Sequence, residues 1–275
     1  MILQTRSENM WRKTETRKMT EVNHFVYEAD LENRGIRITK YTGNADCVQI
    51  PAEIDGAPVV SLGPYVFVEI ADAGKGTFKA VVATNGDTTP RETFFAGNTA
   101  IYQLLCFYGC ENIICIEIPA AVTEIGSSAF AFCKSLQHIY LPSGLQILNR
   151  SMFRNCSSLQ EVHISGNVKT IGFIAFENCT SLESVILPDS VSEIEMRAFC
   201  GCKSLRQIRL PNHAVVFGNG AFAESGLVEM HIPETACLAE AMFHNCKELE
   251  QIVVEKGLTE IQSDAFSGCE SLENG

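Results

Sequence analysis

Basic residues are scarce in this chain: 21 Lys and Arg stand against 33 Asp and Glu in 275 residues, a formal charge of −12. Binding a nucleic-acid phosphate backbone needs clustered cations, so the shortage excludes nucleic acid as the expected partner. Long apolar runs are also missing. No stretch approaches the roughly 20 residues of a membrane span. The opening Met1-Ile2-Leu3-Gln4-Thr5-Arg6 lacks the apolar core of a secretory signal, so no export address is visible there. No serine sits in a nucleophile elbow and no glycine-rich phosphate loop occurs, so neither catalytic residues nor a cofactor are expected. What the chain does have is apolar substance: 46% hydrophobic against 20% charged residues can build a large core and is not the composition of a disordered chain.

That apolar content is periodic. One fixed step carries Pro119 to Pro142, Phe130 to Phe153, Cys133 to Cys156 and Leu136 to Leu159, and further steps reach Phe176, Cys179 and Leu182, then Phe199, Cys202 and Leu205. Self-similarity at a period of about 23 residues is the signature of a solenoid, in which each unit buries its apolar face only by stacking on its neighbours. Each unit holds an apolar-x-x-apolar-x-apolar-Pro segment, as in Leu136, Ile139, Leu141 and Pro142. This reads as a strand closed by a proline, which cannot donate to a ladder. A second apolar pair follows (Val168 with Ile171, Val191 with Ile194), then a short helical turn carrying Ala-Phe. The expected fold is therefore an α/β repeat solenoid of about nine coils. A parallel sheet forms one face, and short strands and helical turns form the other.

The chain divides by texture. Residues 1–22 are polar and are expected to form a disordered tail. Residues 23–67 read as a capping β-hairpin, Phe25-Val26-Tyr27-Glu28 and Ile36-Arg37-Ile38-Thr39-Lys40-Tyr41 about an Asn33-Arg34-Gly35 turn, followed by a first repeat. Residues 68–106 read as a degenerate repeat or insertion, since the step from Phe67 to Phe107 falls short of two full periods. Residues 107–275 are the regular repeats. Their last coil is expected to be uncapped, and so to be exposed, self-associating through that end, or cut from a longer protein. One copy is short: Ser225 replaces the repeat cysteine, and the step from it to Cys246 is two positions less than the period.

Phe107, Phe130, Phe153, Phe176, Phe199, Phe222, Phe243 and Phe266 are expected to form one core ladder. Seven of the twelve cysteines, Cys110, Cys133, Cys156, Cys179, Cys202, Cys246 and Cys269, form another. Equivalent residues on stacked coils point their Cβ atoms in parallel, so these cysteines read as buried reduced thiols that suit a reducing compartment. The residue before each is Asn155, Asn178, Asn245, Gly109, Gly201 or Gly268, types that tolerate the left-handed backbone ending a turn. Phe132 departs from that rule and is expected to mark a different local geometry. Cys106, Cys110 and Cys115, and Cys200 with Cys202, have spacings that invite a zinc reading, but each cluster borrows a ladder residue, so no metal site is expected.

The motifs Ile139-x-Leu141-Pro142, Val191-x-x-Ile194, Ala198-Phe199, Cys202 and Ser204-Leu205, with the opening unit Tyr41-Thr42-Gly43, Ile50-Pro51 and Gly56-Ala57-Pro58-Val59, resemble the BspA-like leucine-rich-repeat family over residues 36–272. The resemblance implies a right-handed leucine-rich-repeat coil and a non-enzymatic protein of bacterial surfaces or host association that binds other proteins. It carries no catalytic residues. It also implies a surface or secreted location, where the thiol-rich core points to the cytoplasm.

The residues that the repeat leaves free are those flanking the inward apolar side chain of each strand. One outward row runs Glu117, Tyr140, His163, Ile186, Arg209, His231 and Val253. Its neighbour runs Cys115, His138, Glu161, Ser184, Gln207, Glu229 and Gln251. An extended solenoid face is a common binding surface, and Tyr and Arg are enriched among interface hot spots. The expected site for a protein ligand is Glu117, Tyr140, His163, Ile186, Arg209, His231, His138 and Glu161, centred on Tyr140, His163, Ile186 and Arg209.

Overall fold

The computed structural model describes residues 24–272 apart from 64–65, 73–76, 83–90, 97–109, 165 and 236, with side chains described outside 64–109. Strands β1 (Phe25–Asp30) and β2 (Gly35–Tyr41) form the expected antiparallel hairpin. The first coil holds β3 (Cys47–Gln49), β4 (Glu53–Ile54) and β5 (Ala57–Leu62), and β5 lies parallel to β2. The hairpin thus covers the first coil by extending its sheet. β6 (Val66–Asp72), β7 (Thr77–Val82) and β8 (Arg91–Ala96) follow as a three-stranded antiparallel sheet.

Each later coil carries a pair of strands: β9 (Cys115–Glu117) and β10 (Glu124–Ile125), β11 (His138–Tyr140) and β12 (Ile147–Leu148), β13 (Glu161–His163) and β14 (Thr170–Ile171), β15 (Ser184–Ile186) and β16 (Glu193–Ile194). The series continues with β17 (Gln207–Arg209) and β18 (Val216–Phe217), β19 (Glu229–Ile232) and β20 (Cys237–Leu238), and β21 (Gln251–Val254) and β22 (Glu260–Ile261). The longer strands line one face and the two-residue strands another.

The stacking places β3 directly beside β9 and β5 directly beside β10, both parallel. Among the described residues, β6, β7 and β8 pair only with one another and none is interposed in either sheet. Among the described residues, eight coils rather than nine therefore contribute strands to the first face.

The expectation of an α/β solenoid with helical turns is overturned: no α-helix occurs among the described residues, and the chain is a β-solenoid. The reason lies in where the amides of the Phe-bearing arc point. In an α-helix each would bond a carbonyl four residues back. Here they alternate. Ala129, Ala131 and Cys133 close turns onto Gly126, Ser128 and Phe130, while Ser128, Phe130 and Phe132 donate across the gap to Arg150, Met152 and Arg154 of the next coil. Two left-handed residues per arc enforce that alternation. The position before the ladder cysteine is one, with φ of 60° at Asn155 and Asn178 and 73° at Gly201. Phe132, at φ 62°, follows the same geometry rather than departing from it. Four residues earlier lies a second, at Ser128, Ser151, Ile174, Arg197, Gly220, Ala241 and Asp264. Only one of these is glycine, so residue type does not announce it. Ile174, with φ of 49°, is held in that region. Such a backbone is costly for a β-branched residue, and here the Ile174 amide is anchored by the Met196 carbonyl of the next coil at 3.1 Å.

One continuous core runs from Phe25 to Leu249. Phe130, Phe153, Phe176, Phe199, Phe222 and Phe243 are fully buried and stack in order, centroids 5.1 to 5.7 Å apart, with the half-buried Phe266 continuing the series. Phe107 lies outside the described residues. The cysteine ladder has a polar reason as well as a packing one. The thiols of Cys156, Cys179, Cys202, Cys246 and Cys269 donate to the carbonyls of Phe130, Phe153, Phe176, Phe222 and Phe243 at 3.0–3.1 Å. Ser225, which stands where cysteine is absent, lies with its hydroxyl 3.3 Å from the Cys246 sulfur. Burial pushes the Cys156 thiol up to about 12 and those of Cys110, Cys200 and Cys246 to about 11, which keeps them protonated and unreactive.

Two cysteines outside the ladder are joined: Cys47 and Cys115 form a disulfide between the register-matched ends of β3 and β9. Equivalent positions on stacked coils can therefore be bridged, contrary to the parallel-Cβ argument, although the seven ladder positions are not. The sequence does carry the signal. Both cysteines stand four residues before a strand-closing proline, Pro51 and Pro119.

The cap is fixed by a buried acid. Asp30 is 3% exposed and accepts hydrogen bonds from the Asn33 amide, Asn33 Nδ2, Arg37 Nη2 and the Ser61 hydroxyl, tying the hairpin turn to β5. Burial pushes its carboxyl up, but these donors together outweigh burial and hold it below the usual Asp value. A depressed carboxylate stabilises the fold above its unfolded pKa, and that stability is lost as pH falls through the folded value. Asp30→Asn is expected to cost about 2 kcal/mol at pH 7. The gap from wild type should persist to about pH 4 and close below it, as urea unfolding at several pH values would record.

The exposed sheet face as candidate binding site

Strand length decides which face can recognise a partner. A three-residue strand turns its middle side chain to the core and the two flanking ones outward, as the exposed–buried–exposed patterns of β15 and β17 show. The two-residue strands of the other face leave one outward residue per coil. The first face thus offers two parallel rows, the positions that the repeat leaves free.

The rows do not behave uniformly along the solenoid. At the first coils the Cys47–Cys115 disulfide occupies the outward position, and Cys115 is buried while Glu117 is exposed. Over β11 and β13, Tyr140 and His163 stack face to face, with ring centroids 4.1 Å apart and planes 4° apart. Glu161 sits between two histidines, 3.7 Å from His138 Nδ1 and 2.8 Å from His163 Nε2. The latter approach is close but not aligned as a hydrogen bond, since His163 Nε2 is otherwise without a partner. The side chains of this half of the site pack on one another and are half-buried.

The other half is open. Ile186 is 64% exposed and Val253 38%. Together with Ser184, Gln207, Arg209, Glu229, His231 and Gln251 they line a groove of about 430 Å³ across β15, β17, β19 and β21. The groove coincides with an interruption of the sheet: β15 pairs with β17 and β19 with β21, but the ladder does not continue from β17 to β19. The clipped coil around Ser225 lies at this step. The chain turns there at Gly226, where a Cβ would stand 2.1 Å from the Lys203 carbonyl oxygen, so only glycine permits the close approach. Of the expected centre, Ile186 and Arg209 lie in the groove with His231. Tyr140, His163, His138 and Glu161 form the adjoining cluster, and Glu117 stands apart.

A family model for the BspA-type leucine-rich-repeat region matches residues 94–183 and 169–274 in six copies. The chain belongs to this family. The matched residues include the apolar, phenylalanine and cysteine ladders from Cys110 onward. Among solved structures, the T. pallidum leucine-rich-repeat protein TpLRR is similar at 27% identity and TM-score 0.58, over 94% of this chain and 92% of that one. A leucine-rich-repeat protein from Eubacterium ventriosum is 20% identical with TM-score 0.47, over 90% of this chain and 51% of its own. The pneumococcal vaccine antigen PcpA is 18% identical with TM-score 0.38, over 80% and 58%. No curated protein matches the sequence significantly. The BspA-type members and these bacterial neighbours are repeat proteins, and nothing in the likeness indicates catalysis.

No helix among the described residues is long and apolar enough to cross a membrane. Of the sulfurs whose spacing invites zinc, Cys115 is in the disulfide and Cys202 donates to the Phe176 carbonyl, Cys110 and Cys200 are free thiols, half-buried and buried, and Cys106 lies outside the described residues.

Proposed function

We propose that the chain is a non-enzymatic protein-binding scaffold that recognises its ligand with the outward rows of the first sheet, concentrated in the groove from β15 to β21. The observation that carries this reading is the exposure of Ile186 in a concave surface. A large aliphatic side chain left 64% exposed beside a groove is the kind of apolar surface that a partner covers. Adhesion or host interaction, which the family resemblance implies, is the setting we infer for it.

Two matched substitutions test the face. Ile186→Asp should weaken the complex with a captured protein ligand by tenfold or more, a loss of about 1.4 kcal/mol. Val216→Asp, equally exposed at 66% but on the second face, should leave the affinity unchanged. Equal effects at both positions, measured by interferometry, would reject the assignment.

A second reading is assembly through the last coil. Leu258 and Ile261 are 36% and 56% exposed, whereas their counterparts Val191 and Ile194 are fully buried. If this end joins two copies, light scattering should show a concentration-dependent dimer that Ile261→Lys abolishes. A monomer at all concentrations would remove the reading.

A further inference from the structure

We infer that the groove takes an extended peptide segment of the form apolar-x-acidic-x-apolar, its carboxylate received by Arg209; this rests on the sheet face being the binding surface.

The starting point is a cation without a partner. Arg37, Arg154, Arg197 and Arg206 each hold a carboxylate: Asp30, Glu177 (shared by two of them) and Glu248. Arg150 lies over the Phe173 ring, 4.7 Å from its centroid. Arg209 has no ion pair and no side-chain hydrogen bond among the described residues, although Glu229 stands on the next strand and lines the same groove. In a chain carrying 33 acidic residues, a guanidinium left free in the open stretch of the face is a receptor for a carboxylate, which it grips by two parallel hydrogen bonds. The surplus of 12 negative charges opposes a polyanion, so the complement is a single acid within an otherwise uncharged segment.

The flanking residues set the rest of the pattern. Along one row the groove reads Ile186, Arg209, His231 and Val253, with Ile186 opposite Arg209 and His231 opposite Val253 on paired strands about 4.8 Å apart, and the unpaired step from β17 to β19 between the two pairs. An extended peptide laid across the strands turns alternate side chains to the surface, about 7 Å apart. Apolar residues on either side of a central acid then face Ile186 and Val253 at the two ends of the row, with the acid beside Arg209. In the parallel row Gln207 and Gln251 present amides that both donate and accept, the chemistry that an extended peptide backbone requires.

The test uses the full chain and three fluorescent, end-blocked peptides, Gly-Ser-Leu-Ser-Xaa-Ser-Leu-Ser-Gly with glutamate, glutamine or lysine as Xaa, titrated by anisotropy. The glutamate peptide should bind at least about tenfold more tightly than the glutamine peptide, as losing one charge-assisted pair predicts, with the lysine peptide weakest. Arg209→Gln should erase the difference between glutamate and glutamine, and Arg209→Glu should reverse the order in favour of lysine. Arg209 is exposed, so neither change threatens the fold. Equal binding of the glutamate and glutamine peptides, with Ile186→Asp abolishing both, would overturn the carboxylate assignment while leaving the face as the binding surface. Binding unaffected by either Arg209→Glu or Ile186→Asp would overturn the face itself. Failure of all three peptides to bind would overturn the peptide proposal.

Discussion

Phe176→Ala is expected to destabilise the chain by about 3–5 kcal/mol, the range for truncating a buried aromatic residue. Its ring is fully buried and lies between Phe153 and Phe199, with centroids at 5.2 and 5.1 Å. Both neighbours are themselves held by further rings, so the surrounding arc cannot collapse into the space. Position along the solenoid adds to the cost. In a quasi-one-dimensional array stability is a sum of coil and interface terms, and a defect in the middle weakens two interfaces at once. The half-buried Phe266 has its full neighbour on one side only, at Phe243. Phe266→Ala should therefore cost well under half as much. Urea unfolding of the two variants beside the wild type checks the gradient, and equal losses would mean that the ring stack is not what couples the coils.

Reduction of the Cys47–Cys115 bond is expected to lower the stability of the N-terminal coils by about 4 kcal/mol, the chain-entropy value for a closed loop of this size. The bond spans 68 residues and includes the antiparallel excursion β6–β8. Without it, the pairing of β3 with β9 and of β5 with β10 must be found across that whole segment at the full entropy of loop closure. The other described cysteines are free, so reductant acts on this bond alone among them. Unfolding followed with and without reductant, and in the double variant Cys47→Ala/Cys115→Ala, should show an early N-terminal transition in both perturbed states. Superimposable curves would show that the coils are coupled by packing alone.

The repeat makes the ladders legible because stacking imposes the same environment once per period, so residue type at Phe130, Cys133 or Leu136 reports burial directly. It also places the outward rows, since strand alternation is a local rule. The arc reads as helical from sequence because Ala-Phe followed by Asn or Gly suits a short helix and a pair of left-handed turns equally. What separates the two is the destination of the amides of Ser128 and Phe130, a carbonyl one coil away. Residues 68–106 read as a degenerate repeat or insertion from their length, and length says nothing about whether strands such as β6, β7 and β8 enter the stack. Within the site, the positions of Ile186 and Arg209 are readable but the groove is not. The shortening of the coil at Ser225 is visible, yet whether β17 and β19 pair depends on how neighbouring coils meet.

The most direct test of the binding face is a photo-crosslinking pair. A benzophenone side chain is placed at position 186 in one preparation and at 216 in another, each bound to the same protein ligand and irradiated. A ligand adduct should form from 186 and none from 216. An adduct from 216 with none from 186 would contradict the assignment of the first sheet face.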